Sequence, residues 1–119
     1  MNTLETIFLN TEKNFTVNKK DVNNNKALLP NVLYKEMEQF VQNSISSHQN
    51  FVFHTPQLFK LQILKNAHLN DKLLLKAQVK KLNQFELQIS VVVKHKNNND
   101  EICKGLFKFH LKEKISKAS

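Results

Sequence analysis

The amino-acid sequence predicts one small α+β domain in which a single long helix is covered by a curved antiparallel sheet of about five strands. Two observations predict this architecture. Apolar residues recur at helical spacing between residues 29 and 47, and they recur at every second position in four later segments. The chain has 119 residues, the length of one domain, so we expect residues 1–119 to fold as a single unit.

The predicted helix runs from residue 29 to about residue 47. Pro30 suits its first turn, because a proline there removes an N–H that would have no partner within the helix. Such a helix would be about 27 Å long, the width of a four- or five-stranded sheet. The apolar side chains that would face the sheet are Leu29, Leu33, Met37, Phe40, Val41 and Ile45.

Four later segments, near residues 59–63, 73–79, 85–93 and 103–111, alternate apolar with polar side chains. This period is typical of antiparallel strands with one face buried. The breaks between the segments are short enough for hairpins. We expect Phe59, Leu61 and Ile63 to face inward in the first segment, and Phe85 to begin the inward series of the third. A strand near residues 15–17, with another at 7–9, would complete the sheet.

Other apolar residues lie at the alternate strand positions, on the face of the sheet turned away from the helix, and form a second group. They predict an oligomer contact on the outer face of the sheet, because exposed apolar groups on one face often mark such contacts. They are Leu64, Leu74, Val92 and Leu106.

The composition excludes several classes of protein. The net charge is +8, but all 18 basic residues are Lys and none is Arg, the residue that reads guanine with two parallel hydrogen bonds. We therefore predict no nucleic-acid partner. No apolar run approaches the length of a membrane-spanning helix, and the N-terminus lacks the pattern of a signal peptide, so we predict no membrane partner. The single cysteine, Cys103, favours a reducing compartment, and we expect a cytoplasmic protein.

Several residues resemble the hotdog-fold acyl-CoA thioesterase family. Residues 21–31, DVNNNKALLPN, lead into residues 32–38, VLYKEME. In the family, an Asp-x-Asn or His-x-Asn precedes a Gly-Gly pair and then a Met-Asp on the helix. Thr55 stands where the family often has a threonine, and residues 66–75 resemble the family's Pro-x-x-x-Gly-Asp-x-Leu hairpin. The resemblance extends from about residue 15 to residue 112 and implies the hotdog fold.

The resemblance also implies a site. Glu38 would be the general base or nucleophile, and Asn23 would position the water or the thioester. The backbone N–H of Asn31 or Val32 would stabilise the oxyanion, and Thr55 would contact the substrate. Glu36 stays open as the alternative carboxylate. The substrate would be a coenzyme A or acyl-carrier thioester, with no cofactor and no metal, and the protein would act in fatty acid metabolism as a homodimer or a dimer of dimers.

The sequence departs from the family pattern at four positions. Pro30 and Asn31 replace the Gly-Gly pair, and proline has no N–H to offer an oxyanion. Glu38 is one methylene longer than the family's aspartate. Asn70 replaces the hairpin glycine and tolerates left-handed geometry. The loss of the glycines keeps a second hypothesis open, a non-catalytic hotdog protein that binds an acyl thioester or a protein partner. Hydration of acyl thioesters would need an Asp/His pair, and Asp21 has no histidine beside it.

Overall fold

The helix and strands of a computed structural model follow the predicted order. The structure describes residues 12–45, 51–53 and 57–113. The predicted strand at residues 7–9 lies outside these ranges. The elements are β1 (Glu12–Thr16), a 3-10 turn (Lys19–Asp21), helix α1 (Pro30–Ile45), β2 (Phe51–Phe53), β3 (Gln57–Ile63), β4 (Lys72–Leu82), β5 (Glu86–His95) and β6 (Glu101–Glu113).

Every strand pair is antiparallel, and the sheet order is β1-β4-β5-β6, with β2 and β3 both on the far side of β6. β2 pairs with the last residues of β6 and β3 with earlier ones, so the two occupy one strand position. The register shifts by one residue within β3, within β4 and between β5 and β6. Such bulges increase the local twist of a sheet. The prediction of one helix on a curved antiparallel sheet is confirmed. The short β2 was not predicted, because three residues are too few to show alternation.

The buried face of α1 packs on the inner face of the sheet, where it lies closest to β4 and β5. The helical stripe predicted from the sequence is confirmed from residue 33 onward, since Leu33, Met37, Phe40, Val41 and Ile45 are buried. The predicted inward positions of β4, β5 and β6 are also confirmed. The residues there with no exposed surface are Leu73, Leu75, Leu87, Ile89, Val91, Val93, Cys103 and Phe107.

Two predicted inward positions are wrong. Phe59 and Phe85 have 59% and 68% of their surface exposed. Phe59 lies at the bulge of β3, where the register with β6 shifts, and Phe85 lies in the turn before β5 rather than in the strand. Leu61 and Ile63 do lie opposite buried β6 residues, yet 38% and 45% of their surface is exposed. The reason is that β3 lies at the edge of the sheet, beyond the cover of the helix.

The segment before the helix is tied to the segment before β4. Val22 and Leu28 form one antiparallel bridge and Ala27 and His68 form another. The N–H of Leu28 donates to the carbonyl of Ala67 at 2.8 Å. This double connection fixes where the chain enters α1.

Asn70 has a φ of 73°, so the asparagine that replaces the family's glycine adopts the left-handed conformation expected from the sequence. The same turn contains the hydrogen bond from the N–H of Asp71 to the carbonyl of His68 at 3.0 Å. Asn70 is therefore a conformational substitute for glycine at this position.

Candidate active site

The carboxylate of Glu38 is held by a neighbour on its own helix. The hydroxyl of Tyr34 donates a hydrogen bond of 2.9 Å to Oε2 of Glu38, in a half-buried position. Residues four apart lie on the same helix face, which is why the two side chains meet. One carboxylate oxygen is thereby fixed, and no hydrogen bond within the described part of the chain occupies the other.

Tyr34 is itself positioned by β6. Its ring lies parallel to the buried ring of Phe107, with 6.2 Å between the ring centroids and 5° between the planes. The hydrogen bond to Glu38, together with partial burial and the negative charge of Glu38, raises the pKa of the Tyr34 hydroxyl above its usual 10.0. Tyr34 therefore remains a protonated donor throughout the neutral and mildly alkaline range.

Glu36, the alternative carboxylate, is paired elsewhere. Its Oε1 lies 2.9 Å from Nζ of Lys13 in β1, and both side chains are partly exposed. The pair connects the helix to the edge strand of the sheet. Glu36 and Glu38 thus lie on different sides of α1, and Glu38 is the one next to β6.

The helix N-terminus offers fewer donors than a Gly-Gly pair would. Pro30 is the first helical residue, as predicted, and has no N–H. The N–H of Val32 already donates to the carbonyl of Leu29 at 3.1 Å. The N–H of Asn31 has no partner within residues 12–45, 51–53 and 57–113, and this residue is exposed. Asn31, Tyr34 and Glu38 follow one another at the three- and four-residue spacing of a single helix face.

The side chain of Asn23 accepts hydrogen bonds from within its own loop. Its Oδ1 accepts hydrogen bonds from the N–H groups of Asn25 at 2.8 Å and Ala27 at 3.1 Å. The loop also contains Lys26, whose φ of 63° is left-handed. The side-chain carbonyl of Asn23 thus stabilises the loop, and the structure gives Asn23 no hydrogen bond to Glu38. Thr55 lies outside the described residues.

Two further groups considered from the sequence have structural roles. Asp21 is buried, and its Oδ2 accepts the N–H of Asn18 at 2.9 Å, which closes the 3-10 turn. Cys103 Sγ lies 3.9 Å from Sδ of Met37 in the core. Burial raises the pKa of the Cys103 thiol to about 11, so it is protonated and unsuited to nucleophilic attack at neutral pH.

The ranges that the structure describes contain no group of three or more His, Cys, Asp or Glu side chains that could hold a metal ion. None of the helices described is long and apolar enough to cross a membrane.

Sequence reasoning missed Tyr34. The signal was available, because a tyrosine four residues before a glutamate on a helix brings hydroxyl and carboxylate together. The partner ring of Phe107 could not be inferred, since it depends on how the helix crosses the sheet.

The fold has clear counterparts among solved structures. A scan against family models finds no match, and a search of curated proteins finds none either. A hypothetical thioesterase of Streptococcus pneumoniae, solved with coenzyme A, gives a TM-score of 0.73 at 16% identity, over 88% of this chain and 80% of that one. The chain has the hotdog fold.

Other hotdog structures agree. An acyl-CoA hydrolase of Staphylococcus aureus, in complex with butyryl coenzyme A, coenzyme A and coenzyme A disulfide, gives a TM-score of 0.73 at 15% identity, over 91% of this chain and 72% of that one. Zebrafish thioesterase superfamily member 2 gives 0.72 at 17% identity, over 85% and 73%. At these identities the similarity establishes the hotdog fold of this chain.

Proposed function

We propose that this hotdog protein is a thioesterase that hydrolyses an acyl-CoA or acyl-carrier thioester, with Glu38 as the base that activates water. The observation that carries the proposal is the half-buried Glu38 carboxylate, fixed at 2.9 Å by the Tyr34 hydroxyl on the helix face next to β6. A carboxylate held in one orientation, with one oxygen free, is the group that general-base catalysis needs. Two of the similar structures contain coenzyme A or a coenzyme A thioester.

In the proposed reaction, the free oxygen of Glu38 takes a proton from a water molecule as that water attacks the thioester carbonyl. The carbon–sulfur bond then breaks, the sulfur leaves as a thiolate and takes a proton, and the products are a carboxylic acid and a thiol. The Asn31 N–H is the backbone donor proposed for the developing oxyanion. The contribution proposed for Asn23 is to hold the preceding loop in shape. Val32, the alternative oxyanion donor, could act only if its N–H left the Leu29 carbonyl. Thr55 stays a proposal for substrate contact.

The apolar inner surface of β3 supports an acyl substrate. Leu58 lies opposite Phe107, and Leu61 lies opposite Gly105, so these side chains continue the apolar surface on which Tyr34 stacks. Leu61 is partly exposed, as an acyl-binding surface would be before substrate arrives. The chain needs no cofactor for this reaction.

Hydrolysis of acyl-CoA substrates from two to sixteen carbons, followed by thiol release, tests the proposal. We expect turnover that is proportional to protein concentration and selective for a range of chain lengths. Acyl-carrier thioesters are the second substrate series. Release no faster than the blank with both series would contradict the proposal.

A non-catalytic hotdog protein that binds an acyl thioester is the second candidate. It is favoured by one observation, the loss of two backbone donors at Pro30 and Val32. This candidate predicts that calorimetry detects binding of acyl-CoA while no thiol is released over hours. Turnover in the hydrolysis assay would reject it.

Replacing Tyr34 with phenylalanine tests the positioning of Glu38. We expect kcat to fall roughly tenfold with little change in KM, because the variant loses one hydrogen bond to a charged group. Since the pKa of Tyr34 is raised, the donor form persists past pH 10 and is lost only above it, so the wild-type rate should fall at the alkaline end. The Y34F profile should lack that fall. A variant with unchanged kcat and an unchanged profile would contradict the role of Tyr34.

We also propose a homodimer that forms through β3. One side of β3 pairs with β6, and no other strand in the described ranges pairs with its opposite side. Phe59, Leu61 and Ile63 of this strand have exposed side chains, and an open strand edge with exposed apolar residues is a template for pairing with another chain. A dimer of dimers would need a further contact.

Sedimentation at micromolar concentration tests the dimer. We expect twice the chain mass of 13.9 kDa for the wild type, a monomer for I63K, and a dimer for the matched control F85K, whose site is exposed in a turn away from β3. A wild-type monomer at every concentration would refute this assembly.

A cytoplasmic location stays a prediction, supported by the single unpaired thiol of Cys103. A role in fatty acid metabolism also stays a prediction, and it rests on the proposed acyl thioester substrate.

A further inference from the structure

Gly105 is the only glycine of the chain, and it lies inside β6. A glycine weakens a strand, and within one it often marks the close approach of another group. The backbone conformation does not require it, because the φ of Gly105 is not positive. The left-handed positions of the described ranges are taken by Lys26, Asn70 and Asn99 instead. The glycine is therefore explained by the space beside it.

That space is filled by the end of the Met37 side chain from α1. A Cβ atom at Gly105 would lie 2.6 Å from Cε of Met37, well inside the distance of about 3.5–4.0 Å at which carbon atoms pack. It would lie at ordinary contact distances, 3.5 and 3.7 Å, from Cε1 of Phe107 and Cδ1 of Leu61. Met37 has no exposed surface, and its Sδ lies 3.9 Å from Sγ of Cys103 on the same strand. Gly105 thus forms a notch in β6 that the thioether of Met37 occupies.

The notch lies beside the residues of the proposed site. Tyr34, Met37 and Glu38 follow one another at the three- and four-residue spacing that places side chains on one helix face. Tyr34 contacts β6 through its stacked ring at Phe107, two residues beyond Gly105. Because α1 lies closest to β4 and β5, the side chains of Tyr34 and Met37 bridge the remaining gap to β6. The helix turn that contains Glu38 is therefore held to β6 at two neighbouring points.

We infer that Gly105 is a positioning residue: its notch seats Met37 and so sets the distance between β6 and the helix turn that carries Tyr34 and Glu38. The inference rests on the proposed function, in which Glu38 activates water. A side chain at position 105 would displace Met37 and, with it, this turn of α1. Glu38 would then move away from the apolar inner surface of β3, and the Tyr34 ring would lose part of its contact with Phe107.

Tyr34 supplies a readout that does not require activity, because it is the only tyrosine of the chain and there is no tryptophan. The ultraviolet absorbance of tyrosinate therefore reports this one hydroxyl. The hydrogen bond to Glu38, partial burial and the charge of Glu38 raise the pKa of Tyr34 above 10.0. Lifting α1 from β6 would expose the hydroxyl to water, so the midpoint of the titration should fall toward 10.0. E38Q calibrates the readout, because removal of the charge should also lower the midpoint.

Spectroscopic titration and acyl-CoA hydrolysis of the same variants test the inference on the full chain. In G105A we expect the Tyr34 midpoint to fall and kcat per folded molecule to fall about tenfold or more, with KM nearly unchanged, because a catalytic group has been displaced. G105A/M37L should restore the midpoint and bring kcat within about threefold of the wild type, because the shorter leucine leaves room for the added methyl group. V17I adds one methylene at a fully buried position next to β1, at the far side of the sheet from β6, and should change neither value.

A folded G105A with the midpoint and kcat of the wild type would overturn the inference. A loss that G105A/M37L does not restore, or an equal loss in V17I, would also overturn it, because either would mean a general loosening of the core. If G105A does not fold, M37A replaces it. M37A empties the notch from the helix side without crowding the core, and the same two losses are expected. A wild type without turnover would reject the proposed function, while the titration would still decide whether Gly105 positions the helix turn.

Discussion

Replacing Glu38 with glutamine is expected to lower kcat for acyl-CoA hydrolysis by about 100-fold or more, the range associated with loss of a general base. Glutamine keeps the shape of the side chain and can still accept the Tyr34 hydrogen bond through its carbonyl oxygen. It cannot accept a proton from water. The loss should therefore appear in kcat while KM and the unfolding transition stay close to those of the wild type.

The matched control for this prediction is Glu36→Gln on the same helix. Glu36 is paired with Lys13 at 2.9 Å and lies away from β6, so its loss should leave kcat within about threefold of the wild type, and the partly exposed pair contributes about 1 kcal/mol or less to stability. Steady-state kinetics of the two variants, measured side by side, show how much each carboxylate contributes to kcat. A larger loss of kcat in E36Q than in E38Q would transfer the catalytic role to Glu36.

Replacing Phe107 with alanine is expected to lower the free energy of unfolding by about 3–5 kcal/mol, the usual result of truncating a fully buried phenylalanine. Phe107 has no exposed surface and lies opposite Leu58 and Ile89 on its two neighbouring strands. The ring of Tyr34 stacks on the ring of Phe107. The substitution would leave a cavity between the helix and the sheet. Because the Tyr34 ring would lose the ring on which it stacks, activity should fall under conditions where the variant is still folded.

Phe85→Ala is the matched control, with the same change of side chain at a position that is 68% exposed. It should change the free energy of unfolding by no more than about 0.5 kcal/mol. Urea unfolding followed by circular dichroism gives both values from the midpoint and slope of each transition. Equal destabilisation by the two substitutions would show that Phe107 is not at the centre of the core.

The parts of the fold that follow from local pattern were predictable from the sequence. The apolar stripe of α1 and the alternation in β4, β5 and β6 each repeat over several residues, and burial of these residues favours only one arrangement of helix on sheet. Asn70 was predictable for a local reason too, because few residues accept a left-handed backbone.

The parts that depend on position within the sheet were not predictable. The alternation of Phe59, Leu61 and Ile63 resembles that of a covered strand, yet these side chains are exposed because β3 is an edge strand with a bulge. Alternation predicts which side chains share a face, but whether another element covers that face depends on the width of the helix and the order of the strands. The exposure of β3 is therefore a property of the tertiary structure alone.

The candidate site also has one part that the sequence could predict and another that only the structure shows. Glu38 was proposed from a resemblance in the sequence, and its pairing with Tyr34 follows from helix spacing. The hydrogen bond from the Val32 N–H to Leu29 and the use of Asn23 Oδ1 within its own loop depend on the exact path of residues 22–32. No sequence pattern specified that path, so the number of donors left for an oxyanion became known only from the structure.

A crystal structure with a ketone analogue of an acyl-CoA, in which a methylene group replaces the thioester sulfur, would show directly whether Glu38 faces the thioester carbonyl. We expect the carbonyl to lie on the helix face of Asn31, Tyr34 and Glu38. A water molecule should lie between the carbonyl carbon and the free oxygen of Glu38, at a hydrogen-bond distance of about 2.6–3.2 Å from that oxygen. A carbonyl bound away from this face, with Glu38 and Tyr34 unchanged and in contact only with each other, would mean that Glu38 is not the catalytic base.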